Sequence, residues 1–303
     1  MIVRPHPNPL SLLFIIRGSI IGAIALEFLV IFCVACLVVA VHALHPGLLQ
    51  DVSLVPFSLL GLALSIFLGF RNNACYQRWW EARRQWGRLL AEVRSFVRDF
   101  RALLPEDEER AGRQGRRLIA FAHSLRAQLR GEGRQTAAAW LNEDEWAALA
   151  AVGGKSGQVL NFQAGELADY LRRNEISDIT YRMLSDQLGT MGDIQAACER
   201  LHSTPMPFAY TLLLHRTAWL FCLMAPVGLV PVLGFGAPFV TVILAYAFFG
   251  LDALGQELQE PFERTANAVP LDALVRNIEI AILEALGERE VPEPLRPENY
   301  VLL

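Results

Sequence analysis

Two cysteines with the spacing of a redox or zinc motif lie near the amino terminus. Cys33 and Cys36 are separated by two residues, an arrangement that can form a reactive disulfide or supply two thiolate ligands to Zn²⁺. Both stand within a run of Val, Ile, Leu and Phe, and the sequence has no second pair to complete a four-ligand set. The chain has five cysteines, an odd number that does not suit a framework of disulfides. We therefore predict five reduced thiols and favour packing in an apolar helix over redox or zinc chemistry for this pair.

Two further patterns resemble ligand sites but lack part of the required chemistry. Residues Gly153-Gly154-Lys155-Ser156 end like a phosphate-binding loop, yet Leu149 stands where that loop requires glycine, and the preceding segment is alanine-rich rather than a strand. His42 and His45, with Asp51 nearby, could bind a metal, but packing or water contact at a membrane interface is the favoured interpretation. The sequence has no GxSxG or HExxH motif. We therefore predict no catalytic residue, no bound metal and no cofactor.

The composition indicates a membrane protein. Of the 303 residues, 53% are hydrophobic and 19% are charged, whereas a soluble domain has roughly 45–50% apolar and 25% charged residues. The mean hydropathy is +0.31. The 27 Lys and Arg against 31 Asp and Glu give a net charge of −4, which excludes the polybasic surface typical of a nucleic-acid-binding protein.

The apolar residues are concentrated in two regions, each long enough for two membrane spans. Residues 19–44 are interrupted by a single acid, Glu27, and residues 53–70 carry no charge. Residues 217–251 also carry no charge and are broken in the middle by Gly234-Phe235-Gly236-Ala237-Pro238. Since about 20 apolar residues cross the hydrocarbon core, we predict four transmembrane helices arranged as two hairpins.

The basic residues next to these spans predict their orientation. Arg4 and Arg17 precede the first span and Arg71 and Arg78 follow the second, whereas the loops within the two hairpins contain no Lys or Arg. The positive-inside rule therefore places both termini and the middle of the chain in the cytoplasm.

The middle of the chain is typical of a soluble helical protein. It has few β-branched residues and helix-start signals such as Asn142 followed by three acids. We predict an all-α polytopic protein with a large cytoplasmic helical region. The predicted segments are a cytoplasmic amino-terminal segment (1–18), a first hairpin (19–74), a cytoplasmic helical region (75–205), a second hairpin (206–254) and a cytoplasmic carboxy-terminal segment (255–303).

Three apolar residues share one face of the second predicted span. Leu62, Ile66 and Phe70 are spaced four residues apart. In a leucine-rich helix this spacing alone favours ordinary packing. The span is also rich in glycine, serine and proline, which is typical of helices packed closely around an axis.

The motifs along the chain resemble the bestrophins, including their bacterial members. The motifs that carry the resemblance occur in the family's order over nearly the whole chain. They are Arg17-Gly18-Ser19-Ile20, the Leu62, Ile66 and Phe70 trio, Arg78-Trp79-Trp80, Pro205-Met206-Pro207-Phe208-Ala209-Tyr210 with His215, and Glu260-Pro261-Phe262 followed by Asn267 and Pro270-Leu271-Asp272.

This resemblance implies a homopentameric ion channel embedded in membrane lipid. Five copies of the second span would line an axial pore, with an apolar neck at Leu62, Ile66 and Phe70. A second, cytoplasmic constriction matches Thr180, where an isoleucine is familiar in animal members, so threonine would make that ring more polar. The resemblance therefore predicts passive conduction of small inorganic ions by a protein that is not an enzyme.

The choice of ion and stimulus depends on charge. A net charge of −4 per subunit favours monovalent cations, Na⁺ or K⁺, and an anion channel of the same architecture is the alternative. A membrane-anchored scaffold and a membrane enzyme are less favoured. Animal bestrophins hold Ca²⁺ through acids after the motif that matches Glu260-Pro261-Phe262, whereas residues 263–269 here contain one acid, Glu263, beside Arg264. We predict no activation by calcium.

Overall fold

The computed structural model describes residues 1–4, 15, 18–49, 52–104, 107–133 and 135–303. Arg17 and Asp51, which the sequence analysis singled out, lie outside these residues. The described part of the chain contains helices and isolated β-bridges but no strand. The predicted all-helical fold is therefore confirmed.

Ten α-helices are found in the described residues. In chain order they are α1 (Ala25–Leu44), α2 (Val55–Leu103), α3 (Glu108–Arg130), α4 (Gln135–Ala138), α5 (Glu143–Ala151), α6 (Gly157–Arg172), α7 (Asp178–Ser203), α8 (Phe208–Leu233), α9 (Ala237–Gln259) and α10 (Leu271–Leu286). Short 3₁₀ turns occupy Ile20–Gly22, Pro46–Leu48 and Gly234–Gly236.

Within the described residues, three helical segments are long and apolar enough to cross a bilayer. They are Ala25–Leu44, Val55–Leu103 and Phe208–Gln259, the last of which contains both α8 and α9. Gly234 separates α8 from α9 with a φ of 53°, a backbone conformation that favours glycine, and Pro238 stands in the first turn of α9. The break predicted at residues 234–238 is confirmed, and the count of four spans stays a prediction.

The chain divides into two compact units. The membrane unit comprises Arg4–Trp79 and Pro205–Glu260, and the polar unit comprises Met1–Val3, Trp80–Thr204 and Pro261–Leu303. The division falls within α2, between Trp79 and Trp80. The hairpin ends predicted at residues 74 and 254 stay predictions.

Packing in the membrane unit is dominated by large apolar side chains. Helices α1, α8 and α9 pack against one another, and Leu64 and Leu68 of α2 belong to the same buried cluster. The rings of Phe221 and Phe248 meet edge to face, with 5.0 Å between their centroids. A side chain at Gly61 would place its Cβ 3.0 Å from the Phe221 ring, so glycine allows α2 to approach α8 closely.

Helix α3 lies at the centre of the polar unit, where it packs against α6 and α10. Asp107 caps its first turn, because the Asp107 side chain accepts a hydrogen bond from the backbone N–H of Arg110 at 3.0 Å. Asn142 caps helix α5 through a reciprocal capping box with Glu145, which confirms the helix start predicted there. Local sequence signals thus determine where these helices begin.

Candidate functional site

The apolar trio lies on an exposed face of α2. Leu62, Ile66 and Phe70 are 60%, 48% and 64% exposed, whereas Leu64 and Leu68 of the same helix are buried. Large apolar side chains that share an exposed face usually contact lipid, another chain or a pore. The structure therefore separates a packed face of α2 from an apolar face available for one of these roles.

Two serines next to this face donate hydrogen bonds to backbone oxygens four residues earlier in the chain. Ser58 donates from its hydroxyl to the backbone oxygen of Leu54 at 3.1 Å, and Ser65 donates to that of Gly61 at 2.9 Å. Leu59, which is 63% exposed, extends the apolar face by one turn. An ion beside such a face loses hydration and receives no compensating dipole, so copies of α2 around an axis could form an apolar barrier.

A buried ionic network follows the trio directly. Arg71 is fully buried and forms a salt bridge with Asp252 of α9. The same carboxylate accepts hydrogen bonds from Nδ1 of His215 at 2.8 Å and from Nε2 of Gln256 at 3.2 Å. His215 was predicted only as a motif residue, and no motif indicated Asp252. The available signal was that Arg71 and Asp252 are each the first charged residue after a charge-free segment.

The Arg-Trp-Trp motif continues α2 without a break. Arg78 donates from Nε to the backbone oxygen of Gln259 at 3.3 Å. Trp79 stacks with Tyr76 at 6.3 Å between ring centroids, and Trp80 is 43% exposed. Helix α2 runs for 49 residues through this motif, or about 74 Å at 1.5 Å per residue. The motif is therefore part of one long helix.

The start of α7 exposes an isoleucine next to the predicted constriction residue. Ser177 caps the helix by accepting a hydrogen bond from the backbone N–H of Thr180 at 3.1 Å, and the two hydroxyls lie 3.0 Å apart. Thr180 is half-buried, while Ile179 is 82% exposed. No motif indicated Ile179, and the available local signal was Ser177, a helix-capping residue two positions earlier.

Comparison with known proteins identifies the family. A model described as "Bacterial/Fungal Bestrophin protein" matches residues 1–284. The chain belongs to the bacterial and fungal bestrophins. A voltage-dependent anion channel-forming protein of Mesorhizobium japonicum is 40% identical over 301 residues, which cover 99% of this chain and 96% of the relative. The voltage-dependent anion channel-forming protein YneE of Escherichia coli K12 is 38% identical over 304 residues, which cover both chains fully.

Solved structures agree with this assignment. A bacterial bestrophin homologue from Klebsiella pneumoniae is similar to this chain with a TM-score of 0.85 and 35% sequence identity, covering 88% of this chain and 100% of that one. The resemblance stated from the motifs is confirmed. The family and the names of the relatives support an ion channel in a membrane rather than an enzyme. They do not confirm the preference for cations.

Bestrophin motif residues outside α2 occupy structural positions. Gly18 has a φ of 77°, and Ser19 caps the following 3₁₀ turn by accepting a hydrogen bond from the N–H of Ile21 at 3.2 Å. Pro207 caps α8, and its backbone oxygen accepts a hydrogen bond from the N–H of Tyr210 at 3.0 Å. In each case the motif determines how a helical segment begins.

The Glu-Pro-Phe motif of this bestrophin leads into a loop rich in arginine contacts. Pro261 and Phe262 are buried, and Arg130 donates from Nε to the backbone oxygen of Phe262 at 3.2 Å. Arg264 pairs with Glu132 at 2.7 Å. The described residues contain no group of three or more His, Cys, Asp or Glu side chains that could hold a metal ion.

Asp272, near this loop, interacts with several arginines. Arg126 and Arg130 contact its carboxylate at 2.9 Å and 2.8 Å, and Arg264 lies at 3.7 Å. Burial raises the pKa of Asp272, but the hydrogen bond and charge of Arg130, with the charges of Arg126 and Arg264, outweigh it and hold the pKa below its ordinary value. The carboxylate is therefore ionised and its oxygens are engaged by guanidinium groups.

The residues that resembled a phosphate loop form a hydrogen-bonded turn, and the two closely spaced cysteines lie on a helix. Ser156 donates from both its backbone N–H and its hydroxyl to Oε1 of Gln128, at 3.2 Å and 3.0 Å, and Gly153 has a φ of 70° in the turn after α5. A helix rather than a strand precedes this turn. Cys33 and Cys36 are free thiols on α1. Cys198, in the polar unit, is also a free thiol, and burial raises its pKa to about 12.

Proposed function

We propose that this bestrophin is a homopentameric channel that passively conducts small monovalent ions across the bacterial inner membrane, with both termini in the cytoplasm. The proposal rests on one observation, the exposed apolar face formed by Leu62, Ile66 and Phe70 on a helix whose opposite face is buried. The family and its channel-forming relatives agree with a pore.

The neck would act by controlling hydration. Five copies of α2 around an axis place three successive rings of Leu62, Ile66 and Phe70 along the ion path. Each ring removes water from an ion and returns no polar contact, so a small change in radius changes the barrier strongly. Such a neck suits gating and is nearly indifferent to the sign of the ion.

A second constriction is proposed at the first turn of α7. The family resemblance assigns this role to Thr180, whose hydroxyl lies 3.0 Å from that of Ser177. Ile179, one residue earlier, is 82% exposed. We therefore place the constriction at this turn, with Ile179 as the apolar side chain available to the pore and Thr180 as its polar neighbour.

Selectivity follows from charge outside the neck. The net charge of −4 per chain, or about −20 per pentamer, favours cations in the wider, cytoplasmic part of the proposed ion path. Anion conduction is the second candidate, because relatives that are 38–40% identical are named voltage-dependent anion channel-forming proteins. The cation channel and the anion channel would share the same pore, and their reversal potentials under asymmetric NaCl would have opposite signs.

The proposed channel is not activated by calcium. Glu263 is exposed, and Arg264 pairs with Glu132 beside it. A Ca²⁺ ion requires six to eight oxygen ligands, and a guanidinium group at this position repels a cation.

Ion flux through purified protein tests the proposed function. Liposomes that contain only this protein should exchange small ions, and planar bilayers should show unitary currents. The reversal potential under asymmetric NaCl then separates cation from anion conduction by its sign. The absence of flux from well-folded, reconstituted protein would favour the membrane-anchored scaffold.

A further inference from the structure

We infer that Arg71, Asp252 and His215 form a positioning network that holds the rotation of α2 at the end of the proposed neck. The inference rests on the proposed function, because the rotation of α2 affects conduction only if its exposed face lines a pore. The network lies entirely within the membrane unit and joins α2, α8 and α9.

The position of Arg71 couples the network to the neck. Arg71 follows Phe70 directly, and consecutive helix residues point about 100° apart. Arg71 is fully buried, whereas Phe70 is 64% exposed. A rotation that turned Phe70 toward the core would withdraw the guanidinium of Arg71 from Asp252. The salt bridge therefore opposes such a rotation.

Asp252 is held by donors from three helices. Its carboxylate accepts hydrogen bonds from Arg71 of α2, His215 of α8 and Gln256 of its own helix, and its side chain is only 4% exposed. Charge-assisted hydrogen bonds depend on direction, whereas apolar contacts do not. This set of bonds restricts the relative rotation of the three helices more sharply than the surrounding leucines and phenylalanines can.

Trp219 orients the imidazole of His215 through the ring nitrogen that does not contact Asp252. Nε2 of the imidazole accepts a hydrogen bond from the indole N–H of Trp219 at 3.1 Å, so Nδ1 carries the proton that is donated to Asp252. Trp219 in turn meets Phe249 edge to face at 5.0 Å between ring centroids. The network is therefore supported by aromatic packing within the membrane unit.

A glycine allows the close approach that the salt bridge needs. A Cβ at Gly255 would lie 2.4 Å from Oδ1 of Asn72 and 3.4 Å from Cζ of Arg71. Small residues at helix interfaces let two backbones approach closely. The placement of Gly255 beside Arg71 indicates that α9 and α2 are fitted to each other at this level.

A double substitution separates positioning from stability. Arg71→Met with Asp252→Leu removes both charges and keeps most of the volume, a change that buried ion pairs often tolerate. We expect this variant to assemble normally but to show multiple conductance levels in planar bilayers. Hydrogen exchange in residues 62–74 should be on the order of tenfold faster than in the wild type. Leu68→Met, on the same buried face, is the matched control and should resemble the wild type in both measurements.

A second pair of variants covers the case in which the double variant does not fold. His215→Ala removes one donor from Asp252 without leaving Arg71 unpaired, and His215→Asn restores an N–H near the position of Nδ1. We expect extra conductance levels and faster exchange in His215→Ala, and recovery of both properties in His215→Asn. Equal behaviour of these two variants would contradict the inference.

The exchange measurement distinguishes failure of this inference from failure of the proposed function. If the wild type carries no current, the proposed function is wrong, yet exchange still reports whether the network holds α2. The double variant could instead show the hydrogen-exchange rate of the wild type in residues 62–74 and a single conductance level equal to that of the wild type. That result would show that the network only stabilises the fold, and it would overturn the inference.

Discussion

Arg71 and Asp252, which are 181 positions apart in the sequence, form a salt bridge buried in the membrane unit. Each is the first charged residue after a long charge-free segment. Charged residues at the ends of membrane spans usually extend toward the interface, but here two of opposite sign turn inward and neutralise each other. The pair thus links α2 to α9 immediately after Phe70.

The neck prediction concerns the apolar rings. Combined replacement of Leu62, Ile66 and Phe70 by alanine should widen the neck and lower the dewetting barrier, raising unitary conductance roughly twofold or more. Single-channel recording in planar bilayers measures this change. Leu29→Ala is the matched control, since Leu29 is also exposed, at 60%, but belongs to α1. Unchanged currents in the triple variant would refute the neck.

The second prediction concerns the stability of the buried salt bridge. Asp252→Leu alone leaves the guanidinium of Arg71 buried without its counter-ion and should destabilise the protein by about 3–5 kcal/mol. Adding Arg71→Met should restore most of that stability, because no unpaired charge then remains. Thermal unfolding of the detergent-solubilised protein measures both variants. Additive losses in the double variant would show that the two residues do not act as a pair.

The first turn of α7 provides a third prediction. Ile179→Ala should change unitary conductance or the ratio of ion permeabilities, because it removes the exposed apolar side chain proposed for the constriction. Thr180→Ala serves as the comparison and should have the smaller effect, since its hydroxyl lies against Ser177. If Thr180→Ala had the larger effect on permeability ratios, the constriction would lie at Thr180, as the family resemblance implies.

The fourth prediction is insensitivity to calcium. Because the loop after Phe262 carries Glu263 with Arg264 beside it, micromolar Ca²⁺ on the cytoplasmic side should leave open probability unchanged. Recordings with buffered Ca²⁺ on that side measure this directly, with Mg²⁺ at the same ionic strength as the control. A steep rise in current with Ca²⁺ alone would contradict it.

The fifth prediction is a pH dependence of stability centred on Asp272. The pKa of this carboxyl in the folded protein lies below its ordinary value of 3.8. Its contribution to stability is therefore present above pH 3.8 and is lost as the pH falls through the lower, folded pKa. Asp272→Asn should lower the melting temperature at pH 7, and its difference from the wild type should narrow in acid. A difference that stayed constant down to pH 3 would contradict this assignment.

Several features could be predicted because they depend on neighbouring residues. The turn at Gly234 and the start of α5 at Asn142 follow from a glycine with positive φ and from a capping box, both of which are local. The common face of the trio follows from helix periodicity. The family follows from motifs along the chain. Local chemistry therefore predicted the break between α8 and α9, the start of α5 and the common face of the candidate neck.

Other features depend on contacts between distant segments. The charge at Arg71 predicted only the orientation of the span, whereas its burial against Asp252 required α2 and α9 to pack. The sequence predicts an apolar span followed by a separate polar helical region between residues 55 and 103. In the structure these residues form one continuous helix, Val55–Leu103.

By itself, the sequence determined that this chain is a helical membrane protein of the bestrophin family, because hydrophobic length, capping chemistry and motifs are properties of contiguous residues. Only the tertiary structure decided which charges are neutralised inside the membrane unit and which apolar side chains remain exposed. A residue's burial depends on what the rest of the chain places against it, and the partners of Arg71 are supplied from about 180 residues away.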